Sequence, residues 1–168
     1  MTVEYLIIGT GAAGIAAAKA IRKNDQEGRV VIVSDDSYMP YYRTRLTKAI
    51  PLDLRPEELN MEKEDFVEKN QIELWLNQKV DAIDYDTKTV HIDGGAEVVY
   101  DKLLLATGAQ PFIPPYEGGD MHNVFSMRSM NDYLAVQEAL EVDDVKTVLV
   151  VGGGLLGLEA AYAFLEKG

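Results

Sequence analysis

The stretch Val3-Glu4-Tyr5-Leu6-Ile7-Ile8-Gly9-Thr10-Gly11-Ala12-Ala13-Gly14 decides the fold. Val3 to Ile8 is an apolar run of strand type that stops at Gly9. A helix follows from Gly11, with Ala13, Gly14, Ala17 and Ala18 as a small-residue face. A second strand, Arg29 to Val33, ends at the acidic pair Asp35 and Asp36, so strand, glycine turn, helix and strand fill the length of one βαβ unit. Gly9 to Gly14 match G-x-G-x-x-G. That spacing gives a tight turn at Gly9, a bare backbone at Gly11 where a pyrophosphate can approach, and close helix–strand packing at Gly14. The helix N-terminus, through Ala12 and Ala13, turns N–H groups toward the anion. An acid about twenty residues further on suits a ribose hydroxyl. Asp35 and Asp36 both stand there, and spacing does not choose between them.

Downstream of this unit the chain is less regular. Tyr38 to Leu46 is a loop rich in Tyr and Arg that enters a short helix through Lys48. Glu57 to Asn70 is charged, with Phe66 and Val67 in its later part, and reads as a solvated helix. Ile72 to Leu76 reads as a strand. Lys79 to Tyr85, Thr89 to Ile92 and Glu97 to Tyr100 are short β-rich runs separated by Asp86-Thr87-Lys88 and Asp93-Gly94-Gly95, which is turn chemistry, so they predict an antiparallel meander. Lys102 to Ala106 reads as one more buried strand, stopping at Thr107-Gly108 before the stiff Pro111, Pro114 and Pro115 connection. Ser129 suits an N-cap for a helix through Leu140, with Asp132 in the first turn.

The opening pattern then returns. Thr147 to Val151 reads as a strand running into Gly152-Gly153-Gly154-Leu155-Leu156-Gly157, and a last helix carries Leu158 to Lys167. Gly152, Gly154 and Gly157 stand where Gly9, Gly11 and Gly14 stand in the first turn, but no acid follows at the required distance. One strand and one helix cannot bury both faces of a parallel sheet, so this half reads as incomplete.

Composition narrows the chemistry. With 16 Lys plus Arg against 28 Asp plus Glu, the net charge is −12, which argues against nucleic acid or an anionic membrane as partner. There is no cysteine, hence no disulfide, thiolate metal site, iron–sulfur cluster or thiol catalysis in these residues. Only two histidines are present, so no multi-histidine metal centre is expected. The apolar run near the N-terminus is too short to span a bilayer and follows Glu4 rather than a basic segment, so a cytoplasmic protein is expected.

Two dinucleotide turns in one chain suggest hydride transfer between two nucleotides. Together with Pro40-Tyr41-Tyr42-Arg43, Leu46, Lys48, Tyr100-Asp101, Ala106-Thr107-Gly108 and Gly152 to Glu159, they resemble the N-terminal portion of an FAD-dependent pyridine nucleotide–disulfide oxidoreductase. The branch resembled is that of the NADH-dependent rubredoxin, ferredoxin and nitrite reductases. The resemblance implies an α/β fold: a doubly wound, mainly parallel, Rossmann-like FAD-binding sheet with a β-meander, plus the truncated start of a second nucleotide-binding domain. Residues 1–110 would be the first FAD-binding segment, 111–143 a connection with its linking helix, and 144–168 the start of the NAD(P)H-binding domain. It further implies FAD on the first turn with its ribose on Asp35 or Asp36, the adenine at the Val80 backbone, the pyrophosphate steadied by Arg43, and Ala106, Thr107 and Gly108 close to the flavin. NAD(P)H would dock on the second turn. Lys48 and Glu159 map to a lysine–glutamate pair beside the reactive flavin nitrogen, where a cation stabilises a flavin that gains electrons. A solvated helix lysine and an exposed acid are the plain alternatives for those two residues.

The departures are informative too. Thiol-dependent members carry a reactive cysteine around Tyr41 to Lys48, and this chain has none, so electrons would pass to an external acceptor such as a small redox protein or an inorganic species. The family's second FAD segment and its C-terminal domain have no counterpart here, so the chain reads as a fragment of a protein whose oligomeric state stays open. Two other readings compete with the flavin enzyme: a nucleotide-binding module without redox activity, and a plain NAD-dependent dehydrogenase.

Overall fold

The structure, a computed structural model, describes residues 1–142 and 145–168. Along the chain run β1 (Thr2–Ile8), α1 (Ala12–Asn24), β2 (Val30–Val33), α2 (Leu46–Ala49), α3 (Phe66–Lys69), β3 (Ile72–Trp75), β4 (Val80–Asp84), β5 (Thr89–Ile92), β6 (Ala96–Leu105), α4 (Met130–Val142) and α5 (Leu155–Lys167). The chain divides into two compact units, Met1–Tyr41 with Asn60–Gly108, and Tyr42–Leu59 with Ala109–Gly168.

The first unit is built on a six-stranded sheet of order β3-β2-β1-β6-β5-β4. β3, β2, β1 and β6 run parallel, while β5 and β4 return antiparallel. β2 and the second half of β1, Leu6 to Ile8, are apolar runs because both of their faces are covered, while Thr2 and Glu4 at the start of β1 are exposed. Ile7, Val30 and Ile32 pack with Ile15 and Ala18 of α1. Leu6, Ile8, Val31 and Val33 join Val90, Ile92, Val98 and Tyr100 on the other face. At the end of the sheet away from the glycine turn, the Arg22 guanidinium donates to the carbonyls of Asn70 (2.5 Å), Gly28 (2.6 Å) and Gln71 (2.6 Å). It thereby fastens α1 to two separate loops. The six-stranded, Rossmann-like α/β arrangement agrees with the expected fold class.

Three predicted elements differ. Glu97 to Tyr100 and Lys102 to Ala106 form one strand, β6, whose first half pairs antiparallel with β5 while its length from Val99 to Leu105 pairs parallel with β1. Asp101 continues the strand without a break, and Lys102, Leu104 and Leu105 are exposed rather than buried as expected. The helix predicted over Glu57 to Asn70 is replaced by a 3-10 turn at Pro56–Leu59 and the four-residue α3. Between them the backbone pairs elsewhere: Met61 N–H donates to the Pro40 carbonyl at 2.8 Å, and Asn60 bridges Tyr41. A helix would need those same groups.

The second unit gathers α2, α4 and α5 with the turns at Arg43–Arg45, Ile50–Leu52 and Pro56–Leu59. Leu46, Ile50, Leu59, Met130 and Tyr133 are its fully buried large side chains. Ser129 and Asp132 cap α4 reciprocally. The Ser129 hydroxyl accepts from Asp132 N–H at 3.2 Å, and the Asp132 carboxylate accepts from Ser129 N–H at 2.8 Å. Thr147 to Val151, predicted as a strand, forms none; a strand is held by ladder partners, and no described strand lies alongside it. The expected boundary between residues 143 and 144 lies outside the described residues.

Candidate functional site

In the first unit the glycine turn sits at the C-terminal end of β1. Gly9 has φ +112°, a region that favours glycine, and a Cβ there would stand 2.2 Å from the Ala106 carbonyl oxygen. A Cβ at Gly14 would stand 2.0 Å from the Gly9 carbonyl oxygen. Packing alone accounts for these two glycines. Gly11 is different: nothing lies within 4 Å of where its Cβ would be. It caps α1 in extended conformation with no side-chain hydrogen bond to the helix N-terminus, and Ala12 and Ala13 are exposed. An open glycine before an uncapped helix end fits an anion approaching from outside the chain.

The other residues expected around this turn gather at the same end of the sheet. Gly9 N–H donates to the Val33 carbonyl at 2.8 Å, and the buried Thr10 hydroxyl donates to Ser34 Oγ at 3.2 Å, so the turn is stitched to the end of β2. The two acids differ in their surroundings. Asp36 accepts from the Tyr41 hydroxyl at 3.1 Å and from Tyr38 N–H at 3.4 Å, whereas Asp35 is exposed. Asn77 and Gln78 N–H donate to the carbonyls of Asp36 and Ser34, which brings Val80, two residues on, toward the same end. Ala106 N–H donates to the Ile8 carbonyl at 2.8 Å, placing Ala106, Thr107 and Gly108 directly beside Gly9. These residues lie where β1 has β2 on one side and β6 on the other, the position at which the chain's crossovers diverge and open α/β sheets bind ligands.

The second unit holds the remaining candidates. Gly152 has φ +125°, Gly154 caps α5 in extended conformation, and a Cβ on Gly157 would stand 2.0 Å from the Gly152 carbonyl oxygen, so the local turn repeats the first one. Arg43 donates to the Arg128 carbonyl at 3.3 Å. Lys48 Nζ and Glu159 Oε1 are 3.3 Å apart, so the lysine and glutamate singled out by sequence are an ion pair. Glu159 stands in the second turn of α5 rather than the first. Its carboxyl is held below the usual glutamate range by the hydrogen bond from Thr47 and then by Lys48, against the cost of partial burial.

Sequence reasoning passed over Thr47, whose buried hydroxyl donates to Glu159 Oε2 at 2.7 Å. Nothing in the residues around Thr47 marks that role, because its partner lies 112 positions further along the chain. Among the described residues no group of three or more His, Asp or Glu side chains is placed to hold a metal, and no helix is long and apolar enough to cross a membrane.

Comparison with known proteins covers nearly the whole chain. The family model described as pyridine nucleotide–disulphide oxidoreductase matches residues 3–168. The NADH-dependent phenylglyoxylate dehydrogenase subunit epsilon of Aromatoleum evansii is 34% identical over 98% of this chain and 39% of its own length. The ferredoxin–NAD(+) reductase component of the biphenyl dioxygenase system of Paraburkholderia xenovorans is 34% identical over 92% of this chain and 38% of its own length. The crystal structure of NADH:rubredoxin oxidoreductase from Clostridium acetobutylicum superposes with a TM-score of 0.90 at 29% identity, covering 100% of this chain and 43% of that one. This chain thus spans about two fifths of the length of these relatives. FAD and NAD(P)H are the family's cofactors. On this match the chain belongs to the pyridine nucleotide–disulphide oxidoreductase family.

Proposed function

We propose that the chain is the N-terminal, FAD-binding part of an NAD(P)H-dependent flavin oxidoreductase of the cytoplasm that passes electrons to a small redox protein or an inorganic acceptor, in the manner of rubredoxin, ferredoxin or nitrite reductases. Residues 1–110 form the first FAD-binding segment in this reading, 111–143 the connection, and 144–168 the opening of the NAD(P)H-binding domain. The observation that carries it is Gly11: the one glycine of the first turn that internal packing does not require, facing open space at an uncapped helix N-terminus.

FAD supplies the hydride-accepting ring and releases electrons onward. The chain's own residues bind and orient it. Gly11, Ala12 and Ala13 offer backbone N–H groups to the diphosphate, with Arg43 as its counter-charge. An acid at the end of β2 takes the ribose, the Val80 backbone meets the adenine, and Ala106, Thr107 and Gly108 admit the flavin close to bare backbone. Lys48, held by Glu159, places a positive charge where electrons arrive. Gly152, Gly154 and Gly157 offer the second anion site to NAD(P)H.

The test is spectroscopic: load the purified 168-residue chain with FAD, remove the excess, record the visible spectrum and add NADH. Retained yellow colour supports the FAD site, and bleaching supports electron entry from NADH. A protein that stays colourless overturns the reading. Colour without bleaching favours the second reading, a nucleotide-binding module without redox activity.

A further inference from the structure

We infer that Thr47 is a positioning residue for Glu159, its hydroxyl rather than the Lys48 ammonium fixing where the carboxylate points. This deepens the proposed flavin site and rests on that reading for its purpose, though not for its test. Thr47 and Lys48 are consecutive on the single turn of α2 and reach the same carboxylate from two directions, Thr47 Oγ1 at 2.7 Å from Oε2 and Lys48 Nζ at 3.3 Å from Oε1.

The two partners are not equivalent. Thr47 is 1% exposed, β-branched and flanked by buried Leu46, Ala49 and Ile50, so its hydroxyl has little freedom to swing. The Lys48 side chain is 67% exposed on a flexible four-carbon stem, and an ion pair of that kind is screened and loosely held. Both bonds to the carboxylate are charge-assisted, but only the Thr47 donor is held in place by burial. Thr47 and Lys48 both keep the Glu159 carboxyl ionised, and the Thr47 hydrogen bond is the largest single cause. Lys48 can therefore turn its ammonium toward a ligand without releasing Glu159.

The test follows the Glu159 carboxylate by carbon-13 NMR through a pH titration of the 168-residue chain as wild type, T47S, T47V and K48M. The expected result is a wild-type-like midpoint for T47S, a clear upward shift toward the ordinary glutamate range for T47V, and a smaller upward shift for K48M. The inference is overturned if T47V titrates with wild type, if T47S moves as far as T47V, or if K48M moves further than either. Should T47V fail to fold, T47A replaces it with the same expectations. Because the titration needs no flavin, a colourless chain would sink the proposed function and leave this inference standing, while a yellow chain with an unmoved T47V titration would do the reverse.

Discussion

The two glycine turns of this chain are near copies locally and opposites in their surroundings. Gly9 and Gly152 have φ +112° and +125°. The cap residues Gly11 and Gly154 have φ/ψ of −69°/−178° and −74°/176°, both helices run 13 residues, and in both turns a Cβ on the last glycine would stand 2.0 Å from the carbonyl oxygen of the first. Behind Gly9, however, β1 is paired on both edges, and the Ala106 carbonyl presses on the turn. Behind Gly152 there is no strand, nothing lies within 4 Å of its Cβ position, and Leu149 and Val151 are 85% and 77% exposed. The six residues and the helix after them carry the turn geometry by themselves. The strand before them exists only where neighbours complete its ladder.

The largest expected effect breaks this comparison at its first glycine. Gly9→Ala combines left-handed strain, about 1–2 kcal/mol, with a backbone clash of about 1–3 kcal/mol. Gly152→Ala meets only the strain, about 1–2 kcal/mol. Urea unfolding followed by circular dichroism should show Gly9→Ala losing clearly more. Equal losses would mean that the sheet does not load the first turn.

Gly11→Ala sharpens the functional side. With no internal neighbour it should change stability by less than about 1 kcal/mol, yet raise the FAD dissociation constant at least about tenfold, roughly 1.4 kcal/mol. Quenching of flavin fluorescence measures this. The acidic pair divides next. Asp36→Asn disturbs the bonds from Tyr41 and Tyr38 and should cost about 1 kcal/mol of stability. Asp35→Asn should leave stability within about 0.5 kcal/mol, because its carboxylate is exposed, and whichever of the two variants weakens FAD identifies the acid that takes the ribose in the proposed site.

The smallest effect is in pH. Glu159 is held ionised by Thr47 and Lys48, Asp53 by Lys167 and Gln137, and Asp25 of the first unit by the Gly28 N–H and the Tyr5 hydroxyl. All three carboxyls lie below their usual range. Their contribution is therefore complete above the ordinary carboxylate pKa, about 4, and is lost as pH falls through the lowered values. Urea midpoints should be flat from pH 7 to about 5 and decline below about 4. A decline that begins near neutrality would implicate other groups.

How much of this was readable beforehand follows the same division between local and distant causes. Both hexapeptides, α1 and the Ser129–Asp132 cap are local, and sequence located them. In the cluster around the first turn, Gly9 to Gly14 and the acids Asp35 and Asp36 were readable from glycine spacing and the end of β2, whereas Ala106 to Gly108 were placed there only by the family resemblance. Thr147 to Val151 has the composition of a buried strand, yet composition cannot supply a neighbour. Glu57 to Asn70 looked helical, but its backbone at Asn60 and Met61 is claimed by Pro40 and Tyr41, a pairing no window of residues contains. Thr47 escaped because a threonine's hydrogen-bond partner on a helix more than a hundred residues later leaves no mark in the residues around it.

The late pairing of β6 with β1 bears on how the molecule comes off the ribosome. β1 and its glycine turn are synthesised before β6, so one whole edge of β1 waits until Leu105 has been added, and the carbonyl that backs Gly9 belongs to Ala106. Until then the nascent chain carries an apolar strand with an open edge, a natural client for chaperones. The Gly9 turn gains its backing only when β6 arrives, so completion of the sheet and completion of the proposed FAD site fall at the same point in synthesis.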